Sequence, residues 1–333
     1  MSNRRTVIAA LVVLVVGLGG CSGSHEEGAV SGTSGTGTSA TPAPTATLAS
    51  LSPLTGRPAA ANRPVLAVKI DNVRPARPQT GLDQADIVYV EPVEGGLSRI
   101  MAIFSASIPA RVGPVRSARE SDLELLAQYG RPGLAFSGAN RSVLAAVRNA
   151  SVADLSQDRV PSAYHRSSTR AAPHNLFADP AALLKAARNV SVAKDIGFRF
   201  ADRPADQGTP IGHKLIRYGA ASTEFTWSAS KHRWNVTLDG RPATTSAGAR
   251  LSAATVVVQY TRITASSQHD VLGNTTPYTH TVGSGRALVL RDGVAISARW
   301  SRPTATGGTT FSTASGAAVP FAAGPVWVIY AKS

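Results

Sequence analysis

The sequence predicts an α/β (or α+β) N-terminal domain with a mixed sheet, followed by a β-rich antiparallel C-terminal domain. Three observations carry that prediction. Short β-branched runs alternate with helical stretches as far as about residue 203, and beyond residue 210 strand-like runs recur without helices. Between them, Asp202 to Pro210 is rich in Asp, Pro and Gly, a linker composition. The chain that remains after its N-terminal segments is long for one domain and comfortable for two.

Residues 1–21 read as a targeting segment. Arg4 and Arg5 form a positive n-region, Val7 to Leu18 is an apolar run of roughly the 7–15 residues of an h-region, and small residues follow. The run is too short to span a bilayer. It ends Leu18-Gly19-Gly20-Cys21, which resembles the bacterial lipobox, and the resemblance implies cleavage before Cys21, its diacylation, and anchoring on the outer face of a cell membrane. The paired arginines also weakly resemble a twin-arginine signal; ordinary Sec export is the preferred reading. Cys21 is the one cysteine of the chain, so no disulfide, thiolate metal site or cysteine nucleophile is available elsewhere. Residues 22–52 are mostly Gly, Ser, Thr, Ala and Pro, a disordered tether with a reach of roughly 30 Å.

Within the first domain, 53–203, strands are expected at 65–70, 87–90, 100–104 and 134–136. Ser117 and Glu120 have the spacing of a capping box, opening a helix to about Tyr129, where Gly130 and Pro132 stop it. A second helix is expected over 141–149. Asp179-Pro180, an N-cap followed by Pro at the first helical position, opens a third to about Asn189. In the second domain, 210–333, strands are expected at 224–227, 233–238, 255–262, 286–290, 294–300 and 326–330, with Asp239-Gly240 and Asp292-Gly293 as hairpin turns. The two halves are expected to be separable in stability, with proteolysis cutting the linker.

The formal net charge of +14 predicts attraction to polyanions. No zinc-finger spacing, RNP-like sequence or dense Lys/Arg arm is present, and Arg is spread evenly along the chain, so nucleic acid is not expected as a partner. Weak adsorption to anionic envelope polymers accounts for the charge better.

Polar residues stand where strands meet loops at Asp71, Asn72, Glu91, Glu94 and Arg99. Arg116, just before the first helix, and Arg119, in its first turn, face the positive end of the helix dipole at a penalty of roughly 0.3–1 kcal/mol each. An anion must offset this. Asp71, Glu91 or Glu94 would make the cluster structural, whereas a bound carboxylate or phosphate would make it a site. We expect a mixture in which Glu94 holds one arginine and Arg119 stays available. His165 and His174 flank an Arg-, Asn- and Pro-rich loop, either as satisfied loop residues or as a general base or ligand donor. Glu91 and Glu94 have a spacing that does not fix whether they form a catalytic pair. Ser228-Ala-Ser-Lys231 matches Ser-x-x-Lys, but its strand-like flanks make it a turn. Gly283-Ser-Gly285 lacks the rest of a phosphate loop, and the histidines show no zinc motif, so neither cofactor nor metal is expected.

A longer likeness runs through the chain. PLTG at 53–56, RPVLAVKIDN at 63–72, ARPQTGLDQADIVY at 76–89, VEGGLSR at 93–99, GPVRSAR at 113–119 and APHNLF at 172–177 together resemble the YerB-like lipoprotein family, domain of unknown function 3048. The likeness continues through Trp227, VVVQY at 256–260, GSGRA at 283–287 and the Trp327 strand. It implies an exported lipoprotein with an α/β N-terminal and a β-rich C-terminal domain, with no activity assigned. Relatives read VYE before VEGG where this chain has Val90 then Glu91, which favours Glu94 over Glu91. They also have a histidine where this chain reads Phe136 to Gly138, which leaves His174.

The function expected is a membrane-anchored binding module for an anionic cell-envelope or peptide ligand. Its partners are the membrane, through lipidated Cys21, and that ligand, held by Asp71, Asn72, Glu94, Arg99, Arg116, Arg119, His174 and Asn175. The alternative is an envelope-acting hydrolase or transferase with Glu94 and His174 as acid and base and Arg116 and Arg119 on the substrate's negative charge.

Overall fold

Runs that are apolar on both faces demand a sheet covered on both sides, and the central strands have that pattern. β1 (Leu66–Asp71), β2 (Ile87–Pro92) and β3 (Ser98–Phe104) are buried almost throughout. β4 is Gly133–Ala135, β5 Thr255–Thr261, β6 Gly283–Arg291, β7 Val294–Arg302 and β8 Val326–Lys332. The computed structural model describes residues 50–202, 208–270 and 272–333, all within one unit of the chain. The signal segment, Cys21 and the tether as far as residue 49 lie outside the described residues. Ser50–Leu51, which the sequence assigns to the tether, pair with Pro58–Ala59.

Among the described residues the sheet has eleven strands, and both halves of the chain build it. Its order is Thr209–Pro210, β7, β6, β5, β8, β2, β3, β1, β4 and Ala153–Asp154, with Thr310–Ser312 beside β7. β8 runs parallel to β5 on one side and to β2 on the other, so a C-terminal strand is hydrogen-bonded directly to an N-terminal one. β2–β3 and β3–β1 are antiparallel and β1–β4 parallel, which makes the N-terminal part mixed. The expectation of separable halves thus meets a sheet that neither half completes alone. A separate five-stranded antiparallel sheet, led by His213–Arg217, Ser222–Ser228 and Arg233–Leu238, belongs wholly to the C-terminal half.

Alternation divides the core in two. Leu66, Val68, Val88, Val90 and Val256 join Phe225, Trp234 and Trp327 on the face covered by the five-stranded sheet. Ala67, Ile87, Tyr89 and Val257 join the helical layer and an aromatic group of Phe198, Phe311 and Phe321 on the other face. Each large side chain so enclosed contributes roughly 1.5–3 kcal/mol.

Three α-helices form among the described residues: α1 (Glu120–Leu126), α2 (Arg141–Asn149) and α3 (Pro180–Ala186). α2 and the Asp179 cap follow the sequence, the Asp179 carboxylate accepting from Ala182 N–H at 3.0 Å. α3 stops before Asn189, whose φ of 56° is left-handed. α1 begins three residues after Ser117, because Asp122 rather than Glu120 caps it: Arg119 N–H donates to Asp122 Oδ2 at 2.7 Å. A 3₁₀ turn, Ala127–Tyr129, completes the stretch. Asp239-Gly240 and Asp292-Gly293 form the expected turns, with φ positive at all four residues.

Candidate functional site

Three short chain segments converge at one end of the sheet. Strand alternation puts Lys69, Asp71, Glu91 and Arg99 on the face covered by α1, with Arg99 directly opposite both Asp71 and Glu91 in register. The turn after β2, Glu94–Gly96, brings Glu94 to the rim. Its glycines are needed there. Gly95 and Gly96 have φ of 65° and 68°, and a Cβ on Gly96 would stand 2.8 Å from Gly219 Cα, where Ala220 N–H donates to Gly96 O at 2.7 Å. The segment before α1 then supplies Arg116 and Arg119.

The ion pairs are specific. Arg119 grips Glu94 with two parallel bonds of 2.7 Å each, Nε to Oε1 and Nη2 to Oε2, and Thr276 Oγ1 donates to Glu94 Oε1 at 2.6 Å. Burial raises the Glu94 pKa, but the Arg119 bonds and charge outweigh it and bring it down to about 2. Arg116 Nε stands 3.2 Å from Asp71 Oδ2, an ionic contact whose angle leaves Nε without a hydrogen bond. The same oxygen accepts His174 Nδ1–H at 2.8 Å. Glu91 turns inward to Lys69 Nζ, which also donates to Asp122 Oδ1 at 2.7 Å, all three being buried. Burial, opposed by Lys69 and reinforced by Asp122, raises Glu91 to about 7.

Arg99 is the exception. It has no carboxylate within ion-pair distance among the described residues, and its Nη1 is closed off from solvent without a hydrogen-bond partner. Burial, with Arg119 and Arg116 nearby, lowers its pKa to about 10, so it remains charged near neutrality. Arg99, Arg116 and Arg119 line one cavity of about 660 Å³, which the hairpin Ile263–His269/Thr275–Thr279 walls through His269, Asp270 and Thr276.

The structure brings most of the sequence-predicted residues together but pairs two of the arginines differently from the expectation. Glu94 holds Arg119 itself, so the free arginine is Arg99. Asp71, Glu94, Arg99, Arg116, Arg119 and His174 come together. Asn72 lines an adjoining cavity, with its amide bonded to Ser98 and Gln79. Asn175 does not reach the cluster: it ties Arg166 to Ser167 within its own loop. His165 stacks on Phe177 at 5.8 Å. Ser228 and Lys231 lie at the turn between two C-terminal strands, as their flanks predict. Lys69 and Thr276 were missed. A lysine inside the apolar run VLAVKID signals a buried ion pair, whereas Thr276 arrives from the other half and leaves no local mark.

A mixed sheet completed by a C-terminal strand, a double-glycine turn clamped across the halves and an arginine-walled cleft define a two-part, strand-rich α/β protein. The chain matches the family models for the N-terminal domain (residues 54–193) and the C-terminal domain (residues 215–328) of the proteins of unknown function DUF3048, and it belongs to that family. It is 49% identical over 73 residues to the Bacillus subtilis (strain 168) protein named "Putative lipoprotein YerB". That match spans 21% of this chain and 22% of the relative, about a fifth of the relative's length. The crystal structure of the YerB protein from Bacillus subtilis has the same fold, with a TM-score of 0.70 at 22% identity, over 84% of this chain and 96% of that one.

Proposed function

We propose that this is a membrane-anchored envelope protein that binds an anionic group in the arginine cleft, with no chemistry of its own. The free guanidinium of Arg99 carries the reading. Of the three arginines, Arg116 and Arg119 are paired with Asp71 and Glu94, and no carboxylate among the described residues, Asp270 of the cavity wall included, lies within ion-pair distance of Arg99. A carboxylate or phosphate entering there gains a charged hydrogen bond of about 1.5–3 kcal/mol. The lipobox-like Cys21, and the lipoprotein name of the Bacillus relative, support the anchor and an extracytoplasmic setting.

The acid–base alternative through Glu94 and His174 has less support. A carboxylate held ionised down to about pH 2 has no proton to give near neutrality. Thermal melts with and without phosphate or citrate test the binding reading. An anion at about 100 times its Kd should add about 2.7 kcal/mol of stability to the wild type, and Arg99→Ala should melt at or above the wild-type temperature yet no longer respond. A wild-type melt unmoved by either anion removes the proposal.

A further inference from the structure

Two more cavities adjoin the arginine cleft through shared lining residues. The first, about 730 Å³, shares Leu97 with it and begins at His174, the neighbour of its Pro173. The second, about 210 Å³, shares Arg74 with the first. Arg74 and Arg217 line the middle cavity, and Arg77 and Arg241 join Arg74 in the third.

Each cavity has a guanidinium without a counter-ion. Arg77 is paired with Asp239 at 2.9 Å, but among the described residues no carboxylate lies within ion-pair distance of Arg74, Arg99, Arg217 or Arg241. The buried arginine nitrogens without hydrogen-bond partners are Arg77 Nε, Arg99 Nη1 and Arg116 Nε, and all three residues line these cavities. Free positive charge thus recurs in each of three cavities that share lining residues in turn.

We infer that the three cavities form one track for a linear polyanion of the phosphodiester type, with single negative charges spaced along a flexible, uncharged polyol or sugar chain. This rests on the anion-binding reading of Arg99 and extends it. A lone phosphate would satisfy one cavity and leave the charges of the others open, whereas a repeating anion meets each in turn. Several polar groups along the path are engaged within the protein, which leaves fewer to read a peptide backbone: Ala220 N–H binds Gly96 O, Tyr218 N–H binds Ala221 O, and the Asn72 amide binds Ser98 and accepts from Gln79. Single-stranded nucleic acid needs successive aromatic platforms. Besides the imidazoles of His174 and His269, the aromatic ring lining the path among the described residues is Tyr218, whose hydroxyl is tied to Tyr330 O at 3.0 Å.

Titration of the full-length chain with glycerol-phosphate oligomers of one and of about five units tests the track. Oligothymidylate and poly-L-glutamate of matched charge serve as comparators. Affinity should rise roughly 10²-fold with oligomer length and fall more steeply with salt for the longer oligomer. The combined Arg74→Ala, Arg217→Ala and Arg241→Ala variant, all at exposed positions, should lose that gain. Equal affinity for one unit and five, in a protein whose melt still responds to phosphate, would overturn the track and leave the anion site standing. Tighter binding of oligothymidylate or polyglutamate would also overturn it, and no response to phosphate or any oligomer would remove both. Should the triple variant fail to fold, the wild-type length and salt dependence still decides.

Discussion

The Glu94–Arg119 clamp should behave as a structural pair that Arg99 does not resemble. Arg119→Ala would leave Glu94 buried and unpaired, and with both partners mostly enclosed the loss should approach the lower end of the roughly 3–5 kcal/mol of a broken buried pair. Because Glu94 is depressed to about 2, its contribution is present above its unfolded value and lost as pH falls towards 2. Denaturant melts between pH 2 and 5 should show that acid limb in the wild type and a flatter one in Arg119→Ala. Glu91 has the opposite sign. Raised to about 7 from 4.5, it binds its proton more tightly in the folded state, so stability should decline as pH rises from about 4.5 to 7 and level off above. Glu91→Gln should remove that slope; an unchanged slope would show that Glu91 is ionised throughout.

At the scale of elements, the double-glycine turn decides whether β2, β3 and the C-terminal half stay in register at the cleft. Gly96→Ala places a Cβ against the Gly219 backbone, where no flexible side chain can give way, and adds strain at a positive φ. Its melt should fall by about 1–3 kcal/mol, and Gly95→Ala, with open space around it, should lose less. The strands were legible because period-2 burial and β-branched runs are local signals, and so was the meeting of Asp71, Glu94, Arg99 and Arg116 at strand and helix ends. The pairing within that cluster was not. Arg119 and Glu94 lie 25 residues apart and Lys69 and Asp122 lie 53 apart, so their matching depends on how β1, β2 and α1 stack. The boundary of α1 was misread because Ser117 and Glu120 fit a capping box as well as Asp122 does, and spacing alone cannot choose between them.

For the whole molecule, the hydrogen bonding of β8 to β2 makes cooperativity the expected behaviour. Cleavage within the linker between Asp202 and Gly208 should leave two pieces that co-elute and melt in one transition, because each would otherwise expose an apolar strand edge. Two well-separated transitions, or fragments that part on a sizing column, would show that the halves stand alone. Sequence could not supply this join. The 326–330 run reads as a strand, but nothing in it names a partner near residue 90. The same strand also governs when the protein can fold. β2 is made early and its hydrogen-bonding edge waits for β8, more than two hundred residues downstream, to slot between it and β5. A chain emerging N-terminus first cannot bank its first half as a finished piece, so folding should be slow and late, with the open edge of β2 as the point most exposed to misassembly until Val326–Lys332 arrives.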